Sequence, residues 1–361
     1  MPVPWHPGRT NQFVRPPFGR SLCKDSACCD VLSNDDCKKW RTMSMLTRRS
    51  YQPKTAMAAL DNRRAGLVRG LFAVSSFLLT CIAAPGCASI NERDHEYLRI
   101  EPPISGKIPV AFVLSSGAEV VDFAGPWGVF EYANSPNRQG SPFQLFTVAD
   151  STTPIKCSGG LSIIPDYTFA NAPKPRIIVI PAMGEPSEAM LSWIRESSKQ
   201  TDVTMSVCTG SFVLAKAGLL SGKTATTHHG AYGYFAASFP DVSVKRGARY
   251  VDLGNVATAG GLTSGIDLAL RVVERYYGRD AAERTALDLE YQGTGWKAPD
   301  SNAVYAKAPV STDARPLCPI CEMEVDKNGA LAELYKGRKV YFCGESCKNL
   351  FDTNPQRFLK P

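Results

Sequence analysis

The sequence lacks two features that would place it in a membrane or on a nucleic acid. The apolar run that begins at Leu71 is shorter than the roughly 20 residues that a membrane-spanning helix needs. There is also no recognition-helix pattern and no platform of aromatic and basic residues, and many of the basic residues behind the formal net charge of +7 precede residue 90. We therefore expect no polytopic membrane protein and no nucleic-acid partner.

Cysteine is abundant overall but scarce in the middle of the chain. Of twelve cysteines, only Cys157 and Cys208 lie between residues 90 and 316. This distribution excludes a disulfide framework for the central region. A length of 361 residues, with 44% hydrophobic and 21% charged residues, predicts about two soluble globular domains.

Residues 1–90 form an N-terminal extension that contains a signal-like segment. The stretch 67–84, LVRGLFAVSSFLLTCIAA, follows Arg63 and Arg64 and precedes small residues. This pattern predicts a secretory signal, so we expect an exported protein of the periplasm or cell envelope. The residues before Cys87 resemble a bacterial lipoprotein box, in which leucine is more usual than Ala84. A lipid anchor on Cys87, plain cleavage and an uncleaved anchor all remain open.

Residues 107–296 alternate short β-branched runs with amphipathic segments. Such alternation predicts an α/β domain with a mostly parallel sheet covered on both faces. The strands are predicted at residues 107–114, 143–149, 176–182 and 202–207, and the helices at residues 187–198, 211–220 and 264–278.

Cys208 occupies a special position in this pattern. The strand that ends at Val207 passes directly into Cys208, Thr209 and Gly210 and then into a helix. A sharp strand-to-helix turn is typical of a nucleophile elbow, in which Gly210 relieves crowding. We expect the turn to expose the thiol and the helix N-terminus to favour the thiolate. Cys157 has no such context and is expected to be structural.

Three segments carry a family resemblance: VCTGSFVLAKAGLLSGKTATTHH (207–229), VDFAGPWGVFEYA (121–133) and TAGGLTSGIDLALRVVERYYG (258–278). Together they resemble the ThiJ/PfpI family of the class I glutamine-amidotransferase-like superfamily. The similarity is to the branch that contains isocyanide hydratases and the sensor domains of AraC-type regulators. This resemblance implies a flavodoxin-like sandwich, a homodimer and no cofactor for the central domain.

The resemblance also assigns roles to three residues. Cys208 matches the family's nucleophile, Thr209 the threonine that follows it, and Asp122 the acidic residue that bonds to the sulfur. A carboxyl group beside a thiolate should titrate upward, remain protonated and shuttle a proton. The alternative is that Asp122 only caps the helix near Pro126.

The rest of the cleft is less specific. His228 and His229 are the only histidines of the domain, and either a Cys–His pair or packed and surface histidines fit this pattern. Backbone N–H groups around Gly261 and Thr263 are expected to face the cleft, unless the glycines serve packing alone. The family's proteases have histidine where Thr209 stands, which argues against protease activity.

Residues 297–315 are predicted to be a linker and residues 316–361 a small cysteine-rich domain. The segments CPICEMEVD and YKGRKVYFCGESCKNLFDTNPQRFL resemble the YHS domain, a metal-binding module. Four thiolates suit zinc or cuprous copper in a tetrahedral site. Two disulfides are an alternative, as is a three-cysteine site without Cys318, where that family usually has aspartate. The predicted ligands are Cys318, Cys321, Cys343 and Cys347.

Two functions follow from these observations. The first is a cysteine-dependent hydratase of the isocyanide-hydratase type, or a related hydro-lyase or hydrolase, that attacks a small electrophile through a covalent intermediate. The second is a non-catalytic redox- or metal-stress binding protein that uses Cys208 as a sensor thiol and the C-terminal site for metal. A transcription regulator is disfavoured because no helix-turn-helix follows the domain.

Overall fold

The computed structural model describes residues 98–135 and 140–359. The segment 67–84 and Cys87, on which the predictions of export and lipid attachment rest, lie outside the described residues. Within the described ranges, no helix is long and apolar enough to cross a bilayer.

A seven-stranded sheet forms the centre of the molecule. Its strands run in the order β10-β11-β7-β6-β1-β2-β5, and all neighbours are parallel except β10 and β11. The predicted mostly parallel sheet is therefore confirmed. The strands are β1 (Ile108–Val113), β2 (Phe143–Ala149), β5 (Tyr167–Thr168), β6 (Ile177–Ile180), β7 (Val203–Ser206), β10 (Tyr250–Asp252) and β11 (Val256–Ala259).

Short two-residue strands form two further pairs, β3 with β4 and β8 with β9. They are β3 (Ile155–Lys156), β4 (Ser162–Ile163), β8 (Thr224–Ala225) and β9 (Ser243–Val244). The helices of this region are α1 (Val120–Glu131), α2 (Glu188–Ser197), α3 (Gly210–Lys216), α4 (Tyr232–Ser238), α5 (Ser264–Tyr277) and α6 (Arg279–Asp288).

Two apolar cores lie on opposite faces of the sheet. Strand β1 shows the division, because Val110 and Phe112 belong to one core while Ala111 and Val113 belong to the other. This alternation follows from the two-residue period of a strand. Helices α1, α5 and α6 cover the first core and α2, α3 and α4 the second. The arrangement is the predicted flavodoxin-like sandwich.

The C-terminal region is built around a hairpin. Strands β12 (Leu331–Tyr335) and β13 (Arg338–Phe342) pair antiparallel, and helices α7 (Glu345–Thr353) and α8 (Pro355–Phe358) follow. Its small core includes Ile320, Phe342 and Phe351, and it also takes in Ala237 of α4. The cysteine-rich region therefore packs against the sandwich.

Candidate functional site

Cys208 lies on a strained turn between β7 and α3. Its φ of 58° falls in the left-handed region, which is uncommon for a residue other than glycine. Gly210 makes the turn feasible, because a Cβ there would lie 2.2 Å from the Ile180 carbonyl oxygen. The backbone N–H of Cys208 donates to the Gly260 carbonyl at 2.9 Å. The nucleophile-elbow geometry and the role of Gly210 are thus confirmed.

The sulfur itself is not exposed, contrary to the expectation from sequence. The residue is only 7% exposed. Burial, and next the charge of Asp122, raise the pKa of the Cys208 thiol to about 12, although backbone N–H groups of Thr209 and Leu262 act in the opposite direction. The backbone N–H at the start of α3 thus favours the thiolate, as predicted, but desolvation outweighs it and the thiol remains protonated at neutral pH.

Asp122 is fully buried inside the first turn of α1. The N-cap of that helix is Glu119, so the alternative that Asp122 only caps the helix is wrong. The Ala182 N–H donates to Asp122 Oδ2 at 2.9 Å, and Oδ1 is buried. A hydrogen bond with the Cys208 side chain also acts on this carboxyl, so the thiol is the group with which it can exchange a proton.

Burial raises the pKa of the Asp122 carboxyl to about 7, against the opposing backbone hydrogen bond from Ala182. The upward titration predicted from sequence is confirmed. Its extent changes the expected role, because a carboxyl with this pKa is partly ionised at neutral pH. Such a group can accept a proton and return it, which is what general acid–base catalysis requires.

The loop after β11 supplies a group that sequence reasoning missed. Leu262, with a φ of 47°, directs its backbone N–H at the Cys208 sulfur. Gly261 lies beside it, under the ring of His228. Thr263 is exposed, and its Oγ1 accepts from Arg249 Nη2 at 2.9 Å. A backbone donor has no side-chain signature, so only the pair of glycines before Leu262 could have indicated it.

The two histidines differ in their surroundings. His228 is half-buried, and its Nδ1 accepts from the Gly230 N–H at 3.1 Å, which leaves the ring proton on Nε2. Burial lowers the pKa of His228 and keeps the ring neutral. His229 is exposed and stacks on Tyr305 with ring centroids 4.0 Å apart. His228 thus contacts the loop that bonds to the sulfur, while His229 contacts Tyr305.

The four C-terminal cysteines form one cluster. Their Sγ atoms all lie within 4.8 Å of one another. The Sγ atom of Cys343 lies 3.3 Å from that of Cys321 and 3.4 Å from that of Cys347. These separations exceed a disulfide bond of about 2.05 Å, and the cysteines of the described residues are free thiols. Cys318 lies inside the cluster and is fully buried.

The cluster has the geometry of a metal site. Four sulfurs at about 2.3 Å from a tetrahedral ion would lie about 3.8 Å apart, close to the spacing found here. Hydrogen bonds within the group lower the pKa of Cys318 and raise those of Cys321 and Cys347, so the four thiols interact as one unit. Cys343 is exposed while its three partners are buried, which leaves one side open to ion exchange.

Comparison with known proteins identifies the sandwich. Residues 109–275 match the DJ-1/PfpI family. Isonitrile hydratase of Pseudomonas putida is 36% identical over 189 residues, which are 51% of this chain and 78% of that protein. The chain belongs to the DJ-1/PfpI family. The HTH-type transcriptional regulator CdhR of Pseudomonas aeruginosa is 29% identical over 175 residues, 47% of this chain and 51% of that protein.

A solved structure of a ThiJ/PfpI family protein from Pseudomonas syringae is 25% identical, aligns with 58% of this chain and 83% of that chain, and gives a TM-score of 0.47. The family match ends at Arg275. The cysteine cluster and the segment before it therefore lie beyond the part of the chain that matches the family.

Proposed function

We propose that this DJ-1/PfpI protein is a cysteine-dependent hydratase that adds water to a small electrophilic carbon, an isonitrile in the first instance. One observation carries the proposal: the buried Cys208 thiol, on its elbow, is hydrogen-bonded to the Asp122 carboxyl, whose pKa is raised to about 7. The similarity to an isonitrile hydratase supports the choice of substrate class.

The chemistry follows from the two raised pKa values. The thiol is protonated at neutral pH, so the Asp122 carboxylate takes its proton as the sulfur attacks the terminal carbon of the isonitrile. The same proton then passes from Asp122 to that carbon, which gives a thioimidate on Cys208. Backbone N–H groups of Thr209 and Leu262 stabilise the negative charge that develops on sulfur during the attack.

Water completes the reaction. It adds to the thioimidate carbon, and Asp122 moves the water proton toward the nitrogen side of the adduct. The carbon–sulfur bond then breaks while the hydroxyl proton of the adduct passes through Asp122 to the sulfur, so that an N-substituted formamide leaves and the Cys208 thiol is restored. The sum is one isonitrile and one water to one formamide, with no redox change. The 7% exposure of Cys208 suits a narrow, linear substrate.

Turnover of an alkyl isonitrile, followed as formamide formation, tests this proposal. We expect Cys208→Ser to eliminate turnover while the thermal unfolding curve stays close to that of the wild type. Cys157→Ser is the matched control, because Cys157 is also buried, at 5% exposure. Full turnover by the Cys208 variant, or none by the wild type with several isonitriles, would leave the sensor-thiol function in its place.

We also propose that the C-terminal region is a YHS-like module that binds one zinc or cuprous ion through Cys318, Cys321, Cys343 and Cys347. The clustered thiols support this assignment. A bound ion would hold the hairpin and α7 together in a region whose core is small. The second candidate function, a redox- or metal-stress binding protein, rests on this cluster and predicts metal binding without isonitrile turnover.

Two further proposals concern the protein in the cell. We propose a homodimer, as is common in the DJ-1/PfpI family, which sedimentation of the purified chain tests.

We also propose export with cleavage before a lipid-bearing Cys87, which mass spectrometry of the mature N-terminus tests. An N-terminus at Met1 in the native host would exclude it.

A further inference from the structure

The C-terminal region packs closely against the first turn of helix α4 in the sandwich. The Ile320–Glu322 backbone lies so close to Gly233 of α4 that a Cβ there would be 2.8 Å from the Ile320 carbonyl oxygen and 2.9 Å from the Cys321 carbonyl carbon. This stretch contains one of the clustered cysteines. The docking contact and the cysteine cluster are therefore parts of the same loop.

Charged groups fix the same contact. Arg246 donates to both carboxylate oxygens of Glu322, at 3.3 and 2.6 Å, and lies over the Tyr232 ring at 4.8 Å from its centroid. Arg357 donates to the carbonyl of Ala236 at 2.7 Å, near the C-terminal end of α4. The bidentate contact of Arg246 with Glu322 fixes the orientation of the two groups as well as their distance.

The segment that precedes the C-terminal region contacts His229, just before helix α4. Tyr305 stacks on His229 at 4.0 Å, and the His229 ring lies 4.2 Å from that of His228. The Pro299 carbonyl accepts from the backbone N–H of Arg249, so the segment contacts the sandwich at Pro299 as well as at Tyr305. Parts of the chain beyond the family match therefore contact residues 228–233 at two points, His229 and Gly233.

Thr227 and His228, which precede α4, also contact the residues of the Cys208 site. Thr227 Oγ1 donates to the Cys208 carbonyl at 3.1 Å. The His228 ring lies against Gly261, where a Cβ would be 2.4 Å from Cδ2. Gly261 precedes Leu262, whose N–H bonds to the sulfur and whose positive φ needs support from its surroundings. His228 therefore holds the peptide that presents this donor.

We propose that Tyr305 and the Ile320–Glu322 loop are positioning elements of the Cys208 site, because they hold His228 on Gly261 and so hold the Leu262 N–H on the sulfur. The proposal rests on Cys208 as the reactive thiol. It makes the C-terminal region a support for the elbow rather than an independent appendage, and it extends the machinery of the cysteine beyond the DJ-1/PfpI domain.

A charge exchange across the docking contact tests this coupling in the full chain. Arg246→Glu and Glu322→Arg should each loosen the contact, and the double variant should restore it. The readouts are the rate of Cys208 alkylation by iodoacetamide between pH 6 and 10 and hydrogen exchange of residues 260–264. Asp122 and Glu119 are the charged groups that act on Cys208, and neither changes in these variants.

Each single variant should slow alkylation about fivefold or more and speed exchange at residues 260–264, since a lost N–H donor disfavours the thiolate. The double variant should return both quantities to within about twofold of the wild type. Tyr305→Ala should act like the single variants, whereas Tyr305→Phe keeps the stack and should not. Tyr132→Ala is the control, since Tyr132, the residue that follows α1, is 56% exposed.

The outcomes separate the two proposals. Unchanged alkylation and exchange in the single variants, or faster alkylation from a merely unshielded sulfur, would overturn the positioning role. Failure of the double variant to restore both quantities would overturn it as well. If isonitrile turnover is absent while the coupling is present, the hydratase is wrong and the positioning role stands.

Discussion

The two cysteine sites of this chain use the same atom in opposite settings. Cys208 stands alone, buried, with a raised pKa and with backbone donors and one carboxyl as its neighbours. The C-terminal thiols are each other's neighbours, and hydrogen bonds within the group lower the pKa of Cys318. A single buried sulfur suits a covalent step on a small carbon, whereas four converging sulfurs suit a soft ion.

The largest effect should come from removing the ion that we propose for the cluster. Chelation of the full, metal-loaded chain, or Cys343→Ser with Cys347→Ser, should unfold the C-terminal region, because structural zinc sites contribute on the order of 10 kcal/mol. Hydrogen exchange of β12 and β13 should rise while that of β1 and β6 stays slow. A hairpin that is equally protected without metal, and crosslinked by disulfides under oxidising conditions, would contradict the metal site.

Gly210→Ala probes the elbow by geometry alone. The added Cβ would lie 2.2 Å from the Ile180 carbonyl oxygen, so the turn must shift or unfold. We expect a loss of about 3 kcal/mol or more in the free energy of unfolding, measured with denaturant. Gly128→Ala is the matched control, because α1 leaves open space there and alanine favours a helix. Equal stability of the two variants would mean that the turn tolerates a side chain.

Asp122→Asn separates the carboxyl's two influences on Cys208. Loss of the proton-transfer group should reduce isonitrile turnover about 10²- to 10⁴-fold. Loss of the negative charge should lower the pKa of Cys208, because the Asp122 charge raises it. Alkylation at pH 8 should therefore become faster while turnover becomes slower. Parallel losses of both rates would indicate a disturbed site rather than a missing base.

Local sequence predicts the elbow well, because a strand that runs directly into Cys208, Thr209 and Gly210 leaves the chain few conformations. It does not predict how deeply the sulfur is buried, since burial depends on packing between segments far apart in sequence. The Leu262 donor is equally hidden, because every residue except proline has a backbone N–H. Composition predicts a linker at residues 297–315, and it carries no sign of the Tyr305 stack on His229.

The smallest effect is a pH dependence of stability that distinguishes the buried carboxyl beside the elbow from exposed carboxyls. Burial raises the pKa of Asp122 from 3.8 to about 7. A raised folded-state pKa contributes stability that is complete below the unfolded pKa, near 4, and is lost as the pH rises through about 7. At pH 8 the wild type therefore carries an ionised carboxyl in a site that disfavours its charge.

Asp122→Asn should remove this dependence, so that its stability relative to the wild type is greater at pH 8 than at pH 5, by on the order of 1–3 kcal/mol. Denaturant unfolding at the two pH values measures the difference, with Glu131→Gln, an exposed carboxyl on the same helix, as the control. A relative stability that does not change between pH 5 and pH 8 would mean that Asp122 is ionised throughout, and it would then be unable to return a proton to the substrate.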